Sequence, residues 1–501
     1  MKKFLHTYQL DFIFTSLITL TYFVTRLINL TIIPIFTDEA IYLRWSQIGS
    51  YDAAWRFIPL TDGKPPLFHW FVMLTVRLFS DPLIAGRIVS VAAGFFSLIG
   101  IGLAAYVLTR HKSIAYLSTL LYLASPFMVV YDRLAIVDCL LTTISIYSFI
   151  LAVLLIQTKR LDVALLLGGT IGAGMLTKAS GLIFLLLTPF TAIITPLTKV
   201  AKRLLPWIGL LIISAVIAES AYSILRLSQF FYRIGQKNYE FIIPLSKFLQ
   251  EPFSFTIGNA KSMFKWQFGY LTCPVCLSIL AAFLNKKLIR QNLLLLLYYF
   301  IPFLMIASFN KIIFPRFLLF STPFLLILAA TGIHNITSYL KSVPQRSLFV
   351  LLVLFPSLVI SSNLLFSPLK ANIPQSDRDQ YLDSWPAGWG INETVAYLQD
   401  QAAKGPIFVG TQGTFGLMPY AIEIYLWRNP NVEIDSFWPV NKVPDKILAK
   451  AQEKTTFFIY NELEDIPAQD NLQLILEFTK RRGDEVRHMR LFKVSPLTQS
   501  Q

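Results

Sequence analysis

Charge is scarce in this 501-residue chain. Asp, Glu, Lys and Arg make up 15% of it, where soluble globular domains carry about 25%. Hydrophobic residues reach 54% and mean hydropathy is +0.56, so there is too little polar surface to cover the chain in water. That excludes a soluble protein, a disordered chain and a nucleic-acid binder built on a basic patch, in spite of a pI near 9.5. Cysteine is nearly absent: Cys139, Cys273 and Cys276 cannot build a disulfide framework. There is no Gly-X-Y period, no tandem repeat and no Gly-rich phosphate loop of the Walker type, so ATP is not an expected substrate. Cys273-Pro274-Val275-Cys276 has redox spacing without a βαβ context, and no second Cys/His pair completes a four-ligand zinc site. It reads as packing.

What the chain has instead is apolar runs. A helix needs about 20 apolar residues to cross a bilayer. Runs near 12–33, 84–108, 114–130, 138–157, 162–177, 179–198, 204–225, 267–285, 291–308, 317–338 and 347–366 predict eleven spans in a polytopic α-helical membrane protein. The third and fifth are short, as in tilted or broken helices. The first is longer than a signal-peptide core and no small-residue cleavage site follows it, so it reads as a retained anchor.

Basic residues orient the spans. With Lys2 and Lys3 in the cytoplasm, the inner connections hold Arg110/Lys112, Lys159/Arg160, Lys199/Lys202/Arg203, Lys286/Lys287/Arg290 and Lys341/Arg346. Most outer basic residues fall in two long loops, about 34–83 and 226–266, where the rule is weak. Eleven spans put the C-terminus outside, in a multi-pass protein of the plasma membrane. The net charge of +15 divides unevenly: residues 367–501 hold 14 Lys+Arg and 17 Asp+Glu, a net of −3, which leaves +18 on residues 1–366.

Composition changes at residue 367, and 367–501 reads as a small extracytoplasmic α/β domain behind a 1–366 membrane domain. Pro406–Gly410, Thr456–Tyr460 and Met489–Val494 predict strands. Asn392-Glu393 predicts a helix N-cap with an acidic first turn; it also opens a glycosylation sequon, which the cap explains more simply.

The ionisable residues near span ends share one face. Arg26, Asp38, Glu39, Lys64, His69, Asp132, Arg133, Asp138, Lys178, Lys311 and Arg316 all fall at the outer boundary under this topology. Each alone reads first as a snorkelling or solvated charge. Three details point further. Asp38-Glu39 runs straight into apolar Ala40–Leu43, Asp132 and Asp138 sit among hydrophobic residues, and Lys178 interrupts a long apolar stretch. Such groups must pair or bind something. Carboxylates at a membrane face act as general bases for a hydroxyl or amine. Lys and Arg at the same depth hold a phosphate, one as a point charge and the other as a fork. Together they suit departure of a lipid-linked phosphate from a sugar, with the cations neutralising the developing charge.

Three ordered motifs carry a family resemblance: Phe36-Thr37-Asp38-Glu39-Ala40-Ile41-Tyr42, Gly63-Lys64-Pro65-Pro66-Leu67-Phe68-His69-Trp70, and Arg133-Leu134-Ala135-Ile136-Val137-Asp138. The chain resembles the C-type integral-membrane glycosyltransferases (GT-C fold), family 39 above all, which holds protein O-mannosyltransferases and lipid A aminoarabinose transferases. Leu176–Gly181 and Pro315-Arg316-Phe317 fit as well. The resemblance implies an inverting transfer from a polyprenyl-phosphate sugar to a lipid, surface glycan or protein, with no metal or other cofactor. It implies Asp38 as general base or acceptor-orienting group, Glu39 as its support, Asp138 as an organising acid and Lys64 as a phosphate contact. It makes Arg133, Lys178 and Arg316 contacts to phosphate or pyranose. For His69 a catalytic role is open, but its place beside Trp70 in an interfacial loop favours positioning, and it is counted with the donor-site residues. Asp132 falls outside the matched pattern. The missing eukaryotic-type middle insertion weighs against protein acceptors. A transporter or lipid flippase is the alternative, but it predicts internal repeats and midplane charges, and neither is seen. A non-catalytic assembly subunit would leave Asp38, Lys64 and Asp138 without a task.

Overall fold

Leucine, isoleucine, valine and phenylalanine dominate residues 1–366, and this part folds almost wholly as helices. In the computed structural model, residues 2–195, 200–461, 471–483 and 485–496 are described. Among them, five helical stretches have the length and apolarity to cross a membrane: Pro82–Thr109, Val137–Thr158, Leu204–Leu227, Lys286–Phe309 and Val343–Phe366. A sixth is a bent pair, 256–271 and 273–284, which turns by 99°.

The remaining expected spans differ from straight helices for local reasons. The first helix, α1 (Lys2–Leu27), stops six residues before the predicted end; Asn29 at φ 47° and a turn to Pro34 end it. Helix α2 (Thr37–Tyr51) follows, then α3 (Leu67–Thr75) and α4 (Pro82–Thr109). The third expected span is two pieces, α5 (Lys112–Ala124) and α6 (Pro126–Tyr131), because the proline disfavours helical backbone at Ser125. Beyond α7 (Val137–Thr158), α8 (Leu161–Thr177) has 17 residues. The sixth expected span is a short helix, Leu182–Leu187, between 3-10 turns at Ala179–Gly181 and Thr188–Ile194. Its last residues, 196–198, lie outside the described residues. The eighth breaks at Thr272, whose φ is 67°. Helix α8 packs on Val200–Tyr222 through small residues: a Cβ at Gly172 would lie 2.6 Å from that of Ala221, and the Ser214 hydroxyl donates to Ala164 O at 2.8 Å. Close backbone approach is how apolar helices associate without a hydrophobic gain in lipid.

The chain divides into two compact units. One holds Met1–Leu30, Phe57–Phe71 and Arg87–Pro374; the other holds Thr31–Arg56, Val72–Gly86 and Gln375–Gln501. The division therefore differs from a single cut at residue 366: two stretches of the first long loop cluster with the C-terminal residues.

The second unit contains a five-stranded sheet. The strands are β1 (Ile407–Gln412), β2 (Val432–Phe437), β3 (Thr455–Tyr460), β4 (Leu472–Arg482) and β5 (Glu485–Val494), in the order β2-β1-β3-β5-β4. β1, β2 and β3 are parallel, joined by the crossover helices Leu417–Leu426 and Asp445–Glu453. β4 and β5 form an antiparallel hairpin on β3. Interior strand β1 is buried at every residue. Phe408, Phe458, Tyr460, Phe492 and Ile447 form one core. β1, β3 and β5 match the three predicted strands; β2 and β4 add to them. The helix Ile391–Lys404 is capped by Gly390 at φ 86° with no side-chain bond, so Asn392 lies in its first turn and is not the cap.

Candidate functional site

In the first unit, Asp138 lies in the first turn of α7, where the helix dipole favours a carboxylate. Its Oδ1 accepts from Lys178 Nζ at 2.7 Å, and the pair is largely buried, with the lysine 26% and the acid 4% exposed. Lys178 terminates α8. Its carbonyl accepts from Gly181 N at 2.8 Å, and this tight return brings Gly181 against Gly174, where a Cβ would meet the backbone at 2.2 Å. The Leu176–Gly181 motif thus needs glycine at its end. Lys178 Nζ also sits 4.3 Å from the centre of the Phe317 ring. The preceding Arg316 is buried on the 3-10 turn Pro315–Leu318, its guanidinium 4.8 Å from the Phe314 ring centre. Asp138, Lys178 and the Pro315-Arg316-Phe317 element are therefore gathered from chain positions up to 179 residues apart.

Lys64 follows a 3-10 turn at Ile58–Asp62, and its N–H donates to Pro59 O at 3.0 Å. Its Nζ lies 3.4 Å from Asp62, whose other oxygen accepts from Lys237 Nζ at 2.8 Å. Two lysines thus share one carboxylate. Lys237 belongs to the helix Tyr232–Phe241 in the second long loop, a residue that sequence reading did not single out. Its neighbourhood in sequence is polar and carries no motif; only the fold brings it to Asp62. His69, in α3, is fully buried. Burial, and then the nearby Lys64 charge, push its pKa down to about 3, so the imidazole is neutral at physiological pH.

Arg133 is placed differently from a ligand-facing fork. It is 2% exposed, and its guanidinium donates to Thr25 O at 2.9 Å and Asn29 O at 2.6 Å, satisfying carbonyls at the end of α1. Arg87 does the same for Leu30 O at 2.7 Å. Burial and the neighbouring Arg87 and Arg26 charges lower the pKa of Arg133 to about 9. Arg26 and Asp132, the acid outside the matched pattern, form a buried ion pair at 3.2 Å, and Tyr122 donates to the same carboxylate at 3.0 Å. The signal for this pair is in the sequence: an arginine and an aspartate, each in an apolar run.

In the second unit, Asp38 and Glu39 occupy the first turn of α2. Asp38 is half-buried and Glu39 wholly buried. The turn is clamped by residues of the C-terminal segment. Phe36 bridges Ala387, Thr37 N donates to Pro386 O at 3.2 Å, and Gly388 N donates to Ile35 O at 2.7 Å. The Phe36 ring meets Tyr381 edge-on at 4.7 Å. Further along α2, Arg44 pairs with Glu423 at 2.6 Å and Gln47 donates to Ile424 O at 2.8 Å. Asp38 and Glu39 thus belong to one compact unit, and Lys64, His69, Arg133, Asp138, Lys178 and Arg316 to the other. Among the described residues, no group of three or more His, Cys, Asp or Glu side chains is arranged to hold a metal ion.

Comparison with known proteins agrees with the second and third motifs, while the first, Phe36–Tyr42, lies outside the matched residues. Residues 63–222 match the family model described as dolichyl-phosphate-mannose-protein mannosyltransferase. No curated protein sequence matches the chain significantly. Among solved structures, ArnT from Cupriavidus metallidurans in the apo state aligns with a TM-score of 0.55 at 14% identity, over 97% of this chain and 98% of that one. The same enzyme bound to undecaprenyl phosphate aligns with a TM-score of 0.55 at 14% identity, over 96% and 98%. At this identity the likeness is one of fold. The resemblance to the C-type integral-membrane glycosyltransferases holds for the matched segment and for the fold.

Proposed function

We propose that the chain is a multi-pass membrane glycosyltransferase that moves a sugar from a polyprenyl-phosphate donor to an acceptor on the outer face of the membrane, with inversion. The observation that carries this reading is the fold shared with ArnT, one of whose structures contains undecaprenyl phosphate. Lys64 lies inside the segment matched to the mannosyltransferase family, and so do Asp138 and Lys178.

In this mechanism an acceptor hydroxyl or amine attacks the anomeric carbon. Asp38 takes the acceptor proton, and Glu39 supports it. The bond from that carbon to the phosphate oxygen breaks, and polyprenyl phosphate leaves with the electron pair. Lys64, Lys178 and Arg316 neutralise the charge that develops on it. Asp138 holds Lys178 in place until the phosphate arrives. His69, neutral and buried, positions the Lys64 turn, and Arg133 braces the end of α1. The transfer needs no metal. The membrane domain is 1–366 with eleven crossings, three of them broken helices, and 367–501 is an extracytoplasmic domain. A lipid or surface glycan is the acceptor favoured here.

The test is transfer of label from radiolabelled polyprenyl-phosphate sugars into membrane extracts, with and without EDTA. Wild type moves label into a lipid, polymer or protein fraction, EDTA leaves the rate unchanged, and Asp38→Asn moves none. Equal transfer by Asp38→Asn would remove Asp38 from the chemistry. No transfer from any such donor would overturn the reaction class.

A further inference from the structure

We propose that Lys480, in strand β4, is a positioning residue for Asp38. This rests on the reading of Asp38 given above. Lys480 is 1% exposed. Its Nζ donates to Asn461 Oδ1 at 2.8 Å and to Trp385 O at 3.3 Å. Asn461 Nδ2 donates to the same Trp385 carbonyl at 3.1 Å, while its backbone N–H donates to Gln412 Oε1 at 2.9 Å. One carbonyl thus receives two side-chain donors that are themselves fixed to the ends of β1 and β3.

The next carbonyl along, that of Pro386, accepts from Thr37 N. Ala387 bridges Phe36, and Gly388 N closes the ladder on Ile35 O. This two-stranded contact is tight: a Cβ at Gly388 would lie 2.4 Å from Ile35 O. Thr37 opens α2 and Asp38 is the next residue. The route from the ammonium to Thr37, the residue before Asp38, therefore runs through two successive peptide units and one main-chain hydrogen bond. A buried ammonium is costly unless its donors are used. Here they fix a strand whose partner carries the candidate base. Sub-ångström placement of a base decides its efficiency, and a misplacement of about 1 Å costs roughly 100-fold. The C-terminal sheet gains a role in this way: it sets the position of a group encoded more than 440 residues earlier.

The test uses the full-length protein in detergent. Hydrogen exchange is followed in peptides covering 35–40 and 385–390, with a β3 peptide over 455–460 as control. Lys480→Met exchanges faster than wild type in the first two, by roughly tenfold or more, and equally in the control. In the transfer assay, kcat of Lys480→Met falls by roughly 10–100-fold at an unchanged donor KM. Combined with Asp38→Glu it causes no further loss, because both substitutions act on one step. If the control peptide also loses protection, Asn461→Ala, which removes the second donor to Trp385 O, carries the same test. Unchanged exchange at 35–40 in both variants would overturn the proposal. A Lys480→Met loss that multiplies in full with that of Asp38→Glu would do so too. Faster local exchange in a protein that transfers no sugar would uphold the link and overturn the function assigned to Asp38.

Discussion

His69 gives a stability term whose sign and size follow from its position. The ring is fully buried in α3, and burial with the Lys64 charge lowers its pKa from 6.5 to about 3. The unfolded chain takes up a proton below 6.5, and the folded protein does not until about pH 3. A depressed folded pKa means that the neutral ring's contribution is complete above 6.5 and is lost as pH falls toward 3. Each pH unit in that window costs about 1.4 kcal/mol for one proton. From pH 6.5 to about pH 4.5 the loss is about 2.7 kcal/mol. His69→Phe keeps a flat ring and cannot protonate. Denaturant unfolding in detergent, at several pH values across the window, isolates the term as the difference between the two proteins. Carboxylates that titrate in the same range cancel between them. Wild type loses stability more steeply than His69→Phe, by about one proton's slope. Parallel pH dependences would refute the reasoning and mean that water or a counter-charge reaches the ring.

Three further predictions rest on particular contacts. Asp132→Ala leaves Arg26 buried without its carboxylate and lowers stability by about 3–5 kcal/mol, whereas Arg26→Met with Asp132→Leu regains most of it; thermal unfolding of the single and double variants checks both. Gly181→Ala forces apart backbones that a Cβ would approach at 2.2 Å; it destabilises by about 1–3 kcal/mol and raises the KM for the donor by displacing Lys178. Lys237→Ala releases the Asp62 oxygen it holds at 2.8 Å. That carboxylate then turns to Lys64 and competes with an anionic donor, so the donor KM rises while kcat stays, as steady-state kinetics will read.

The motif residues were legible because their chemistry is unusual in its surroundings. Asp138 and Lys178 stand out in apolar runs, and the fold pairs them. The class of structure was legible for the same reason, since 54% hydrophobic residues leave few alternatives. Straight spans were not. Composition counts apolar residues but is blind to where Pro126 interrupts a helix or Thr272 adopts a positive φ. β4 is not among the predicted strands: Leu472, Leu474, Leu476 and Phe478 alternate, but the polar half to Arg482 hides the period, and the pairing with β5 reveals it. Asn392 is a good capping residue, but Gly390 takes the cap because the preceding turn needs its left-handed backbone. Arg133 reads in sequence as a ligand contact, while in the fold its guanidinium donates to the carbonyls of Thr25 and Asn29; no sequence pattern reveals where a helix end will meet an arginine. Lys480 and Lys237 lie in segments with no motif, so their roles come from topology alone.

The bridge between Phe36 and Ala387 also has a consequence for biosynthesis. The two residues are separated by 351 positions. At the ~5–20 residues per second of translation, the Thr37 amide waits roughly 20–70 s for its carbonyl. Throughout that interval the loop after α1 is without the strand that completes it. The order of events is fixed: α1, the loop after it and every helix through Val343–Phe366 are made before the segment that finishes the first motif. A nascent chain arrested before residue 386 therefore holds Thr37 and Asp38 on an unclamped turn.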